Sequence, residues 1–347
     1  MTTMKPADRI LARLLIVCLL AAGGGTSGTA QLIPNLGGQR AGISAFQFLK
    51  IGAGARGVAL GETFVAIAND ASSLYWNPAG MTQFTDLQVI AAHTEYVVDL
   101  KHEFLGSVYH LGPGDAVGFS IVSLHTDEMP VTTETQPFGT GNYFKFADLG
   151  IGLSYSRKMT DQFSFGATFR YVEETLDVLK MRGIVVDLGT FYWTGLGSSR
   201  FAVVVSNFGA DVAPSGQVTG YGGNTVSSFQ SFSPPTQFKL GVAMDPMETE
   251  SQKLTTSLEL NHPNDNAENL HLGVEYQWEH WLWLRTGVKR TIGEPLFGRD
   301  NAGSNDVTFG IGVAAPLLDE TVLLDYAFAN FNTLGNVNRF SVILSLR

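Results

Sequence analysis

The residues able to do chemistry are few and poorly grouped. The seven histidines stand at 93, 102, 110, 125, 262, 271 and 280, and no pair has the spacing of a zinc ligand set or of an H-E-x-x-H helix. The nearest approach to a nucleophile and base is Ser123 with His125, two apart and therefore on one face of a strand. Outer-membrane lipid hydrolases place such a pair on a barrel wall, yet nothing in the sequence marks the acid or amide that would orient the imidazole. The plainer reading is a polar position near a rim. Gly52-Ala53-Gly54-Ala55-Arg56-Gly57 fits the G-x-G-x-x-G pattern that admits a pyrophosphate to a helix N-terminus. No strand–helix–strand crossovers follow it, so the pattern is not read as a nucleotide site. No catalytic residue, metal site or cofactor is assigned.

Composition narrows the field further. The 347 residues carry 22 Lys and Arg against 32 Asp and Glu, a net charge of −10, with no basic cluster. That balance argues against nucleic-acid binding. The single cysteine, Cys18, falls in a leader-like stretch. Lys5, Arg9 and Arg13, an apolar run from Leu14 to Ala22, and small residues ending at Ala30 have the layout of a secretory signal. Its apolar run is shorter than the ~20 residues a membrane-spanning helix needs. Residues 1–30 are therefore expected to be a signal peptide, and the remaining chain to lack disulfides and thiol chemistry.

What would position any site is a patterned series of strands. Ala147 to Arg157 puts Leu149, Ile151, Leu153 and Tyr155 on one face and Gly150, Gly152, Ser154 and Ser156 on the other. Fourteen such period-two segments run from residue 87 to 346. Connections after odd-numbered segments are about 6, 22, 10, 29, 7, 16 and 9 residues, and those after even-numbered ones no more than about 7. Short periplasmic turns alternating with longer extracellular loops are the signature of outer-membrane barrels. The fold expected is all-β: a transmembrane antiparallel barrel of about 14 strands over 87–347, with loops 125–146, 207–235 and 290–305 facing outward. Ionised side chains facing lipid are costly, so Asp187, Lys239, Glu259, Glu275, Arg285 and Asp325 are assigned to the lumen. That lumen is polar and of mixed sign, which argues against strong ion selectivity. Tyr96, Tyr109, Tyr155, Trp193 and Trp278 fall where aromatic girdles would lie.

Residues 31–86 differ from the barrel pattern and are expected to be an N-terminal plug. The stretch Phe46 to Phe84 is dense in Gly and Ala and closes on Trp76-Asn77-Pro78-Ala79-Gly80, so backbone can approach backbone closely. Asp70 is placed to cap a short helix through Trp76. Asn77 is placed to end that helix and to cap a second turn beginning at Pro78. Arg56, Glu62, Asn69, Asp70 and Asn77 are its polar groups. They either fix a static plug or gate a ligand path. An apolar pocket between plug and wall would involve Phe46, Phe48, Phe64 and Trp76.

Within this stretch, Gly54, Ala55, Arg56, Gly61, Phe64, Val65, Ala66, Asn69, Asp70, Ala71, Asn77, Pro78, Ala79 and Gly80 carry a resemblance to the PorV/PorQ family of outer-membrane barrels, itself related to the FadL transporters. The resemblance implies a fourteen-strand barrel with a plug in the outer membrane of a Gram-negative bacterium. It also implies a non-enzymatic role near type IX secretion, with secreted cargo proteins or other secretion components as partners beside outer-membrane lipid. By the relation to FadL, the alternative is passive uptake of a hydrophobic small molecule. The C-terminal segment keeps its alternation through Phe340, Val342, Leu344 and Leu346, but Arg347 is unusual where many such barrels end in an aromatic residue.

Overall fold

A computed structural model of the chain describes residues 42–219, 223–292, 306–317, 320–331 and 334–346. The expected signal at 1–30, the first part of the expected plug segment, most of the loop expected at 290–305, and Arg347 lie outside these residues.

Fourteen antiparallel strands close into one barrel. In chain order they are β1 (Leu87–Glu95), β2 (Lys101–Gly112), β3 (Asp115–His125), β4 (Phe146–Lys158), β5 (Phe163–Leu176), β6 (Leu179–Trp193) and β7 (Arg200–Gly209). The series continues with β8 (Gln237–Glu248), β9 (Gln252–Pro263), β10 (Asn269–Trp278), β11 (Leu282–Thr291), β12 (Asp306–Leu317), β13 (Glu320–Asn330) and β14 (Asn336–Leu346). Each pairs with its sequence neighbours, and β1 pairs with β14 from Leu87↔Leu346 to Glu95↔Asn338. Closure leaves no sheet edge with unpaired backbone groups, the condition for a sheet to sit in lipid. Among the described residues no helix is long and apolar enough to cross a membrane. The strands make the crossing.

The period-two pattern sets which side chains face out. On β4, Gly150, Gly152, Ser154 and Ser156 are buried, whereas Leu149, Ile151, Leu153 and Tyr155 are exposed on the outer surface. The same alternation exposes Phe169, Leu188, Leu240, Leu284, Leu324 and Phe340. In a soluble protein so large an apolar belt would be a liability, and in a bilayer it is the lipid-facing surface. Tyr109, Tyr155, Trp278 and Trp281 are exposed near the short-turn end, at the level of an interfacial girdle. Tyr96 and Trp193 depart from the expected girdle and turn inward. Tyr96 stacks on Phe331 with Arg339 over its ring, and Trp193 Nε1 donates to Gln83 Oε1 at 2.9 Å. In both places an inner polar partner is available to satisfy the aromatic group.

Connections after even-numbered strands are short, at 113–114, 159–162, 194–199, 249–251 and 279–281, while 126–145 and 210–236 are the long ones at the opposite end. One connection differs from expectation. The third odd-numbered link, read as about ten residues, is only Asp177 and Val178, because β5 and β6 run on beyond the apolar belt. Glu173 bonds Arg182 at 2.8 Å and Lys180 at 3.2 Å across that extension. Hydropathy sees no strand where charged cross-strand pairs replace apolar ones.

Residues 42–86 run inside the barrel. They contain a 3-10 turn (Gln47–Lys50), helix α1 (Ala55–Ala59), helix α2 (Ser73–Trp76) and a second 3-10 turn (Pro78–Gln83), then lead into β1. Asn77, extended at φ −159°, ends α2, and its side chain accepts from Ala79 N at 3.1 Å with Pro78 in the first position of the next turn. Asp70 does not cap α2, which starts at Ser73. Its Oδ1 accepts from Ser72 N at 2.9 Å, and Oδ2 accepts from Arg56, so the carboxylate serves as an anchor point.

Candidate functional site: the plug and its seat

The plug fits because both surfaces are shaved to backbone. Trp76 fills the space over Gly57, where an added Cβ would stand 2.7 Å from its ring atoms, and Trp76 Nε1 donates to Ala53 O at 2.9 Å. Gly61, at φ +66°, turns the chain so tightly against β11 that a Cβ there would meet Val288 N at 2.7 Å. The wall answers with glycines of its own. Gly166 and Gly189 face Asn77 and Pro78, Gly241 faces Val65, Gly273 and Gly287 face Leu60, and Gly310 faces Ala59, each with no room for a Cβ. These wall glycines were not singled out in the sequence. Their signal was present, since they all fall on the small-residue face of their strands.

Polar groups tie the plug in several directions. Arg56 is the centre of the largest cluster: Nε and Nη2 donate to Glu275 at 2.9 and 2.8 Å, and Nη1 donates to Asn69 Oδ1 and Asp70 Oδ2, both at 2.6 Å. Glu275 also accepts from Arg285 Nε at 2.7 Å, and Arg285 reaches Asp325. The result is an alternating-charge chain, Asp70, Arg56, Glu275, Arg285, Asp325, that begins on the plug and ends on β13. Burial works against the Arg56 charge, but Glu275 and Asp70 outweigh it and hold the guanidinium above its ordinary pKa. Arg56 also lies 5.2 Å over the Phe64 ring.

Backbone groups of the plug find wall side chains. Glu259 Oε2 accepts from Phe64 N at 3.0 Å and Val65 N at 3.2 Å. Gly61 N donates to Thr308 Oγ1 at 3.0 Å, and that hydroxyl donates to Ala59 O at 3.0 Å. Asn77 Nδ2 donates to Val65 O at 2.8 Å and to Thr190 O on β6 at 3.0 Å. An irregular segment held in a barrel has no ladder of its own, so its amides must be met this way.

At the outer end, Glu62 meets Lys289 at 2.9 Å. Burial alone would raise the Glu62 pKa, but Lys289 holds it down at about 2. Asp265 accepts from Gln47 Nε2 at 2.7 Å and pairs with Lys50 at 2.9 Å, so despite its burial it lies below its ordinary pKa.

The six charged residues assigned to the lumen all lie on the inner face and are buried. Glu259, Glu275, Arg285 and Asp325 join the plug network. Lys239 lies 5.3 Å over the Trp76 ring. Asp187 instead bonds within the wall, to Arg170 at 3.0 Å and Asn207 N at 2.7 Å. Gly80 packs against Ala68 O, and Pro78 and Ala79 are buried under β5. Phe46, Phe48, Phe64 and Trp76 are buried, but they do not enclose one pocket. Phe46 and Phe48 belong to one apolar cluster, and Phe64 and Trp76 belong to another. Only Phe48 and Trp76 border the larger cavity, of about 560 Å³, which lies at the long-loop end of the barrel. A second cavity of about 300 Å³ lies at the short-turn end, beside Arg56 and Arg285. The plug separates them.

No curated protein sequence matches the chain. Among solved structures, the CymD monoaromatic hydrocarbon channel is similar at a TM-score of 0.57 and 15% identity, over 87% of this chain and 98% of its own. The Ralstonia pickettii toluene transporter TbuX gives 0.52 at 12%, over 85% and 97%, and a Pseudomonas aeruginosa FadL homologue gives 0.51 at 14%, over 84% and 97%. These likenesses show that the chain shares the barrel fold of these proteins. The family model described as type IX secretion system protein PorV matches residues 36–264. That match takes in the described plug, strands β1 to β9 and the two long loops, and together with the closed barrel it places the chain in the outer membrane of a Gram-negative bacterium: the chain belongs to the PorV family.

Proposed function

We propose that this barrel is a non-enzymatic carrier at the outer surface, receiving secreted cargo proteins on loops 126–145 and 210–236 and passing them to surface attachment machinery. Residues 42–86 act as a fixed stopper in this reading. Membership of the PorV family supports the link to type IX secretion. The observation that carries the rest is the way the plug is held. An alternating-charge chain through Arg56, hydroxyl and carboxylate clamps on its backbone, and wall glycines with no spare room all favour a seated segment over a moving one.

The loops have the surface such a role needs. In 126–145, Met129–Pro130 pairs with Tyr143–Phe144, Phe138 is fully exposed and Tyr143 is exposed. Exposed aromatics on a braced loop are the kind of anchor that interfaces use. The loop 210–236 is braced by Val212 with Phe232, and it meets the plug through Ala45 N to Ser233 O at 3.0 Å. Deleting either loop is expected to abolish co-purification of cargo while leaving a barrel that still shifts its gel mobility on heating. Cargo retained after both deletions contradicts the reading.

Among the described residues, the hydrolase alternative gains no hydrogen-bonded partner that would orient His125. Ser123 and His125 face outward, but Glu103, across from Ser123, is bonded to His93 at 2.8 Å. Passive uptake of a hydrophobic molecule would instead need an apolar path between plug and wall whose shape the Asn77 junction maintains. Uptake of a hydrophobic molecule by whole cells, across their outer membrane, that is lost on Asn77→Ala would favour it over cargo handling.

A further inference from the structure

Among the described residues, two carboxylates share one wall of the outer cavity with no cation between them. Asp148 on β4 is in register with Glu174 on β5, and both side chains line that cavity. Residues directly opposite on neighbouring antiparallel strands hold their Cβ atoms roughly 5 Å apart, so the two acid groups are immediate neighbours. Asp148 is 3% exposed, and its Oδ1 has no hydrogen-bond partner. Glu174 Oε2 accepts from Phe46 N at 2.9 Å, which leaves Oε1 for a second partner.

The strands on either side offer no compensation. Leu124 on β3 is in register with Asp148 and Met181 on β6 with Glu174, and Phe46 and Phe146 pack in the same apolar cluster. The lysines of the cavity are engaged elsewhere: Lys50 with Asp265, Lys289 with Glu62, and Lys239 over the Trp76 ring. Arg170, four residues along β5 from Glu174, pairs with Asp187 at 3.0 Å, and Arg339 on β14 is four strand spacings round the wall from Asp148. Two neighbouring carboxylates this poorly solvated either share a proton or take a cation. Their free oxygens, with room for water on the cavity side, suit a hard divalent ion, and Ca2+ accepts an irregular, part-hydrated set that Mg2+, with its strict octahedron, does not. We infer that Asp148 and Glu174 bind a calcium ion at the long-loop end of the barrel. The ion braces two features at once: loop 126–145 joins β4 at Phe146, two residues before Asp148, and Glu174 holds the plug at Phe46.

The inference does not rest on cargo capture, so either can fail while the other survives. The test titrates calcium chloride calorimetrically into the chelator-stripped full chain in a neutral detergent at neutral pH, with magnesium chloride and methylammonium chloride as parallel titrants. Calcium is expected to bind with a dissociation constant of about 10⁻⁴ to 10⁻³ M, as in extracellular calcium modules, and more tightly than either of the others. Asp148→Asn and Glu174→Gln should each weaken it about tenfold or more, whereas Asp127→Asn, which alters an exposed loop carboxylate, should leave it unchanged. Calcium should also slow proteolysis within loop 126–145, an effect lost in Asp148→Asn. Absence of calcium binding to the unaltered protein overturns the proposal, even where the variants fail to fold, and leaves the pair sharing a proton. Calcium binding that survives both substitutions overturns it too, as does magnesium or methylammonium binding as tightly as calcium.

Discussion

At the scale of single residues, the seat is made as much by what is missing as by what is present. Gly189 leaves the space that Asn77 Oδ1 occupies, and Asn77 in turn bonds Thr190 O and Val65 O. A methyl at 189 forces the plug or β6 to shift. Gly189→Ala is expected to cost about 1–3 kcal/mol of plug docking, seen as faster cleavage of the plug by added protease while the barrel resists. Arg56→Met tests the charged side of the same fit. It strips Asp70 of its cation and leaves Glu275 with Arg285 alone, at an expected cost of about 2–4 kcal/mol, measured as a lower urea midpoint for loss of Trp76 fluorescence. Replacing Lys101, whose pairing with Asp127 is exposed on both sides, is expected to change that midpoint little.

At the scale of elements, the pattern of each strand was legible because lipid enforces it. Leu149, Ile151, Leu153 and Tyr155 had to face one way, and the fourteen strands, their order and the lumen side followed from that rule. Where lipid exerts no pressure the sequence was silent. The extension of β5 and β6 past the membrane rests on Glu173 with Lys180 and Arg182, and the inward turn of Tyr96 and Trp193 rests on partners that come from distant strands or the plug. The plug was legible as a small-residue segment, and Asn77 with Pro78 as a helix junction. That Arg56 would meet Glu275, 219 residues away, is not written in any local spacing.

The outer end of the plug carries its own pH dependence. Asp265 lies below its ordinary pKa of 3.8 in the folded protein, so its tie to Gln47 and Lys50 contributes fully above that value and is lost as pH falls through the lower folded one. Glu62, held at about 2 by Lys289, likewise keeps its tie well below the ordinary carboxylate range. Acidification below pH 3.8 is therefore expected to weaken this tie and expose residues 44–50 to an acid-active protease. Asp265→Asn should expose them already at neutral pH.

For the whole molecule, the barrel supplies a lipid-matched cylinder, the plug divides its lumen into two cavities, and the long loops lie at one end. Hydrogen exchange tests this arrangement most directly, read at the plug amides whose acceptors are on the wall: Ala55 on Ser341, Gly61 on Thr308, and Phe64 and Val65 on Glu259. A seated plug predicts protection at these four positions comparable to that of the flanking strands β11 and β12, lasting hours at neutral pH. Exchange of the four within seconds, with the strands still protected, would contradict it.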